Sequence, residues 1–411
     1  MSDFLQFSLA LAVIIALAKA AGYLSVKLGQ PSVMGELIVG ILLGPTVLDF
    51  LHFTFFTDRH LGEVIQEMAE VGVLLLMFIA GLDLHLNDLA KSGKVSALAG
   101  TLGVILPIGL GAGLGLLFNM QAQEALFIGL ILAATSVSIS AQTLMELKVL
   151  RSRVGVTLLG AAVFDDILVV LGLSIFIAFT QSEPNIVEIL WIALRMALFL
   201  GIGTILGIKV LPRWSLRVAG REIAQGLVSF AFVIILVYAW SAEMLGGMAA
   251  ITGAFIAGLA LSRSQVKERI RSGVSTLAYA VFVPIFFINV GLSVDARQLI
   301  GPVFWLFAGM TLVAIIGKVV GAGAGAMLGG LNRREALQLG VGMMSRGEVG
   351  LIVATVGVNQ GLISGDGMAA VVGVVIITTL LTPPMLRVLF SKPEPQSESK
   401  IAETQPEGDS K

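Results

Sequence analysis

No cysteine occurs among the 411 residues, and histidine occurs only three times. The first absence excludes disulfides and thiolate metal sites and leaves the redox compartment unreadable; the second leaves little imidazole chemistry. Charge is scarce too, since Asp, Glu, Lys and Arg make up 13% of the chain against roughly a quarter in a soluble domain. With a net charge of −1 and scattered cations, nothing in it suggests a nucleic-acid partner. What is abundant is apolar, 56% of residues, in successive stretches of the roughly 20 residues that cross a hydrocarbon core. The chain therefore reads as an all-α polytopic membrane protein with the lipid bilayer as its surroundings. Its start, MSDFLQFSLALAVIIAL, lacks a basic n-region and a small-residue cleavage site, and the apolar run continues past Lys19. A first spanning helix is expected there rather than a signal peptide.

Windows bounded by charges, Gly and Pro predict about thirteen helices, near residues 4–28, 32–51, 62–83, 94–118, 123–147, 153–179, 186–211, 221–242, 246–262, 267–293, 301–330, 334–359 and 364–390. Residues 392–411 are polar and Pro- and Glu-bearing, which predicts a disordered tail. The cations test the count, because positive charge collects on cytoplasmic loops. With the N-terminus outside, the inner loops hold Lys27, Lys91, Lys94, Lys148, Arg151, Arg153, Lys209, Arg213, Arg217, Arg221, Arg263, Lys267, Arg269, Arg271, Arg333 and Arg334. The outer loops hold Arg59 and Arg297. The C-terminus is then cytoplasmic, in a cell (inner) membrane.

An odd number of spans suits two halves around a linker, running in opposite directions, which is the inverted repeat of many secondary transporters. Unusual segments fall at matching places in the two halves, LAATSVSISAQ in the fifth span and VGMMSRGEVG in the twelfth. Thr135, Ser136, Ser138 and Ser140 can satisfy backbone groups freed by unwinding, and Gly342, Gly347 and Gly350 permit a bend. Paired broken helices point to a binding site at the bilayer midplane; a small-residue packing face is the plainer reading of either segment alone.

Four cations remain inside spans, Lys19, Arg195, Lys318 and Arg346, together with Glu36, Glu348 and the adjacent Asp165 and Asp166 of AAVFDDILVV. One aspartate at a helix centre costs about 2.5–3.5 kcal/mol on an insertion scale. Two adjacent ones point in different directions, so one can face a water-filled cavity and the other a neighbouring helix. Lys318, deep in VAIIGKVVGAGAGAMLGG among residues that allow close helix approach, is the best partner for the pair. Lys19 and Arg195 have stems long enough to snorkel. Arg346 and Glu348 in the twelfth span either pair with each other and the backbone or shape the cation path. Glu36 has no partner that the sequence names.

Taken in order, LGQPSVMGELIVGILLGP, GLDL, ATSVSISAQ, GAAVFDDIL, PIFFINVGL, the GKVVGA segment and MMSRGEVGLIVA resemble the monovalent cation:proton antiporter-2 family, of the NapA and Kef type, over nearly all of the membrane part. The resemblance implies crossed broken helices in a core of about 94–179 and 301–390, moving against dimerisation helices of about 4–83 and 221–293, with 186–211 as linker, in a homodimer. It further implies that Asp166 binds the ion and that Asp165 pairs with Lys318. Kef potassium systems have Gln before the Asp and a large cytosolic nucleotide-binding domain; Asp165 and the short tail here favour sodium or lithium.

The expected activity is Na⁺ or Li⁺ exchange for H⁺ by alternating access, with K⁺/H⁺ exchange of the Kef type as the alternative. Proton and cation compete for Asp166, and Thr135 and Ser136 supply oxygen ligands, which hard cations prefer. No enzymatic chemistry and no cofactor are expected. A sodium-coupled solute symporter would need polar groups to line a larger cavity, of which the sequence shows little; a channel would pass ions without stoichiometric proton movement.

Overall fold

A computed structural model describes residues 2–391 apart from 59, 181–185, 222, 294, 300 and 302. Its regular structure is helical throughout the described residues. The helices are α1 (Asp3–Lys27), α2 (Ser32–Leu43), α3 (Leu61–Asp83), α4 (Leu86–Leu117), α5 (Ala122–Ala133), α6 (Val137–Glu146), α7 (Arg153–Thr180), α8 (Ile186–Leu198) and α9 (Thr204–Ala219). There follow α10 (Gly226–Ser241), α11 (Ala250–Leu261), α12 (Lys267–Leu277), α13 (Val283–Leu292), α14 (Val303–Leu328), α15 (Arg333–Gly342), α16 (Glu348–Asn359) and α17 (Gly365–Phe390). Ten helical segments among the described residues are long and apolar enough to cross a membrane, and three shorter apolar helices accompany them. The tail expected to be disordered lies outside the described residues.

Several boundaries differ from the apolar windows. The fourth helix starts at Leu86 rather than near 94, because Leu86 and Leu89 pack on the buried core and carry the helix beyond Lys91 and Lys94. The span expected at 186–211 continues to Ala219 with Pro212 inside it, and the buried Ser215 hydroxyl meets that of Ser264 at 2.8 Å. The tenth window holds α12 and α13 joined by a π turn, Ala278–Phe282.

Two sets of packed helices are evident. In one, α4 is flanked by α5, α7 and α14, and α14 also packs on α15 and α17. In the other, α3 lies against α11 and α13, α2 against α1 and α13, and α10 against α11. Missing side chains allow the tightest crossings. A Cβ on Gly81 would sit 2.2 Å from the carbonyl oxygen of Phe255, and one on Gly258 would sit 2.1 Å from that of Phe78. The same device holds α4 between two neighbours: a Cβ on Gly100 would lie 2.7 Å from Ala161 O of α7, and one on Gly325 would lie 2.3 Å from Leu98 O. With α7 and α14 both drawn onto α4, their buried side chains come within reach of each other.

Candidate ion-binding site

The fifth and twelfth sequence segments are interrupted helices, as their hydroxyls and glycines predict. Between α5 and α6 the chain is extended at Ala134 and Ser136; between α15 and α16 it runs through Met343 to Gly347 without helical structure. Each break leaves helix-end amides and carbonyls without intrahelical partners, and the two breaks satisfy one another. Ser136 N–H donates to Ser345 O at 2.9 Å, and the Ser345 hydroxyl donates back to Ser136 O at 2.7 Å. Ser140 Oγ donates to Gly342 O at 2.5 Å. Gly347 has to be small, because a Cβ there would stand 2.6 Å from Ser136 Oγ.

Arg346 completes the crossing. Its guanidinium, almost fully buried, donates to Met344 O at 2.9 Å and Met343 O at 3.4 Å, to Leu132 O at 2.6 Å and to Ala314 O at 3.1 Å. Thus one cation sits against the carbonyl ends of both α5 and α15, where the helix dipoles are negative. α17 holds its backbone: Arg346 N–H donates to Thr378 Oγ1 at 3.2 Å, and the Thr379 hydroxyl donates to Arg346 O at 2.8 Å. Of the readings the sequence left open for Arg346, pairing with the backbone is the one these carbonyl contacts show; the Glu348 side chain lies outside the described ones. Replacing Arg346 by Met should lower the melting temperature, since each buried carbonyl stripped of its donor costs about 1–3 kcal/mol. An unshifted melting curve would show that the carbonyls find other donors.

Both aspartates of α7 are buried, and they have different neighbours. Asp165 Oδ1 accepts from Lys318 Nζ in a pair whose side chains are 1% and 0% exposed, the partnership that the family resemblance implied. Asp166 faces the other way, to a small pocket shared with Val137, the first residue of α6, and with Ile251, Thr252 and Phe255 of α11. Thr252 Oγ1 donates to Asp166 Oδ2 at 3.2 Å. Because Thr252 is in the first turn of α11, the carboxylate also lies at the positive end of that helix. Ion pairing at Asp165 and a hydroxyl plus a helix end at Asp166 are thus separate answers to the cost of two adjacent buried carboxylates.

Of the expected oxygen ligands, Thr135 has a buried hydroxyl with no hydrogen-bond partner among the described residues, which leaves its oxygen available to a cation. Ser136 serves the crossing through its backbone, and its hydroxyl lies 3.1 Å from that of Ser138. Lys19 is exposed on α1, and Arg195 lies against Gly247. Neither meets the aspartates. Glu36 is buried on α2 against Gly22.

Sequence reasoning missed three contributors. Thr252 is one. Glu146, at the end of α6, accepts from the amide and hydroxyl of Ser32 at 2.7 and 2.6 Å and from Gln142 at 2.8 Å. Asp83, at the end of α3, binds Arg271 of α12 at 2.8 Å and Arg151 of the α6–α7 turn at 3.2 Å. The GLDL motif contained Asp83, but its partners come from distant segments.

Residues 11–392 match the family described as sodium/hydrogen exchanger, transmembrane. The chain belongs to the sodium/hydrogen exchanger family. The Na⁺/H⁺-K⁺ antiporter GerN of Bacillus cereus is 40% identical to this exchanger over 94% of this chain and 96% of the relative. An Na⁺/H⁺ antiporter of Enterococcus hirae is 35% identical, with 94% and 99% covered, and the high-affinity Na⁺/H⁺ antiporter NhaS3 of Synechocystis sp. is 33% identical, with 93% and 89% covered. In fold, the exchanger is similar to the sodium proton antiporter MjNhaP1 of Methanocaldococcus jannaschii, at a TM-score of 0.65 and 16% identity, with 94% and 97% covered. The resemblance read from the motifs therefore holds as membership among sodium/proton antiporters, and its Kef side is set aside.

Proposed function

We propose that Asp166 is the carboxylate for which sodium and protons compete in this Na⁺/H⁺ antiporter. The single observation that carries this reading is the division of labour between adjacent residues: Lys318 occupies Asp165, whereas Asp166 faces a pocket between α7 and α11 beside the first residue of α6. An ionised Asp166 takes a sodium ion with oxygen from Thr135 near the break; protonation expels it. Because both cannot be held at once, competition alone couples the fluxes. Lithium, a hard cation like sodium, is expected to be carried as well.

In this reading α4–α7 and α14–α17 form the moving core, α1–α3 and α10–α13 the scaffold, and α8–α9 the linker, with about thirteen crossings. The cation bias puts the N-terminus outside and the C-terminus in the cytoplasm of the cell membrane. Asp83 with Arg151, and Glu146 with Ser32, then tie core to scaffold at the cytoplasmic end and close it.

The deciding assay uses reconstituted protein in empty liposomes with an imposed pH gradient, to which sodium, lithium and potassium are added in turn. Proton flux with sodium and lithium supports the reading; sodium without any proton response defeats it. The scaffold is also proposed as the surface of a homodimer. Mass in mild detergent and in bilayers should be twice the chain mass of 43.1 kDa, and a fully active monomer would contradict that assembly.

A further inference from the structure

We infer that Thr252 is a cation ligand supplied to the site by the opposite bundle, so that sodium is held between Asp166 of α7 and a hydroxyl of α11. The inference rests on the reading of Asp166 as the ion-binding carboxylate and adds to it the residue that completes its shell from across the moving boundary. Thr252 is buried in AAITGAFIAGLAL, a run with no other hydroxyl.

Its position in the helix explains why that hydroxyl is free to act. Thr143, Thr157 and Thr382, inside their helices, each donate to the carbonyl four residues back, at 2.7 or 2.8 Å. Thr252 is the third residue of α11, and residue 248 lies outside the helix, so its hydroxyl turns across to Asp166. The two oxygens stand 3.2 Å apart, so an ion held by Asp166 Oδ2 lies within coordination reach of the Thr252 hydroxyl as well.

The same hydroxyl can serve each stage of exchange. It donates to the ionised carboxylate when no cation is bound, turns a lone pair to sodium when one arrives, and accepts from the protonated acid. Because α7 and α11 belong to different packing sets, movement of one against the other withdraws this ligand and weakens the hold on the ion. Release is thereby tied to motion.

The test is sodium-dependent proton flux in liposomes, titrated with sodium chloride, for the wild type, Thr252→Val and Thr252→Ser. Val keeps the shape and removes the oxygen. Its KM for sodium should rise on the order of tenfold, the loss seen when a metal site loses a supporting group, with a smaller change in kcat; Ser should restore the wild-type KM. An unchanged KM in Thr252→Val, or a Ser variant as impaired as Val, overturns the assignment. If Thr252→Val carries no measurable flux, the sodium concentration that half-maximally raises the melting temperature in detergent decides. A higher value in Val and a normal one in Ser supports the ligand, and equal values in all three overturn it. A wild type without sodium-dependent flux would defeat the proposed function itself, whereas an exchanging wild type with an insensitive Thr252→Val defeats only this inference.

Discussion

Asp166→Asn should abolish sodium-driven proton movement and leave a folded protein. Asparagine has nearly the shape of aspartate, and its side-chain oxygen can still accept from Thr252, which lies 3.2 Å from the carboxylate in the native chain. The neighbouring ion pair of Asp165 and Lys318 is untouched, so the helices stay locked together. What disappears is the ability to alternate between a negative charge that holds sodium and a neutral acid that does not. Flux in liposomes is expected to fall to that of empty vesicles, while the gel-filtration profile and melting temperature remain close to wild type. Sodium-driven flux surviving in reconstituted Asp166→Asn would remove this residue from the centre of the mechanism.

The largest stability effect is expected at Lys318. Removing one member of a buried ion pair strands the other charge and costs about 3–5 kcal/mol, and here both side chains are essentially inaccessible. Lys318→Gln should therefore melt well below wild type. The double variant, Lys318→Gln with Asp165→Asn, should recover part of the loss because neither charge is left alone, and the double-mutant cycle gives the coupling. Additive losses would mean that the two positions act independently. Transport supplies a second reading of the same variant. If Lys318 releases and regains a proton as Asp165 is freed, each cycle moves net charge, and the membrane potential contributes about 2.3 kcal/mol per charge per 100 mV. Lys318→Gln should then exchange without generating a potential; unchanged charge movement per cycle would make the lysine purely structural.

The breaks were legible because unwinding in lipid demands substitutes for lost backbone bonds and a backbone free to bend, and the serines of the fifth span and the glycines of the twelfth supply the one and the other. Asp165 and Lys318 were legible for a related reason: charge deep in an apolar helix requires a partner, and few partners were on offer. Arg346 shows where this reasoning stops. Backbone pairing was legible as a class, but not that the guanidinium would go to Leu132 and Ala314, carbonyls of helices 214 and 32 positions away in sequence. Carbonyls are present at every residue, so composition does not mark the ones a cation will seek. Thr252 was silent for the same cause. One threonine in an apolar run carries no sign that its helix begins just before it, beside a carboxylate 86 positions away. Helix starts inside a long apolar window were equally hidden, since neither α10 nor α11 begins where hydropathy first rises.

The central claim is that one carboxylate serves both ions, and the dependence of the sodium KM on pH tests it most directly. Proton flux is measured in liposomes at a series of pH values, with sodium titrated to saturation at each. Competition predicts that the apparent KM for sodium climbs in proportion to proton concentration as the pH falls, while the rate at saturating sodium stays level. A KM that holds constant across the series, with only the maximal rate changing, would place proton and sodium on separate groups and contradict the account.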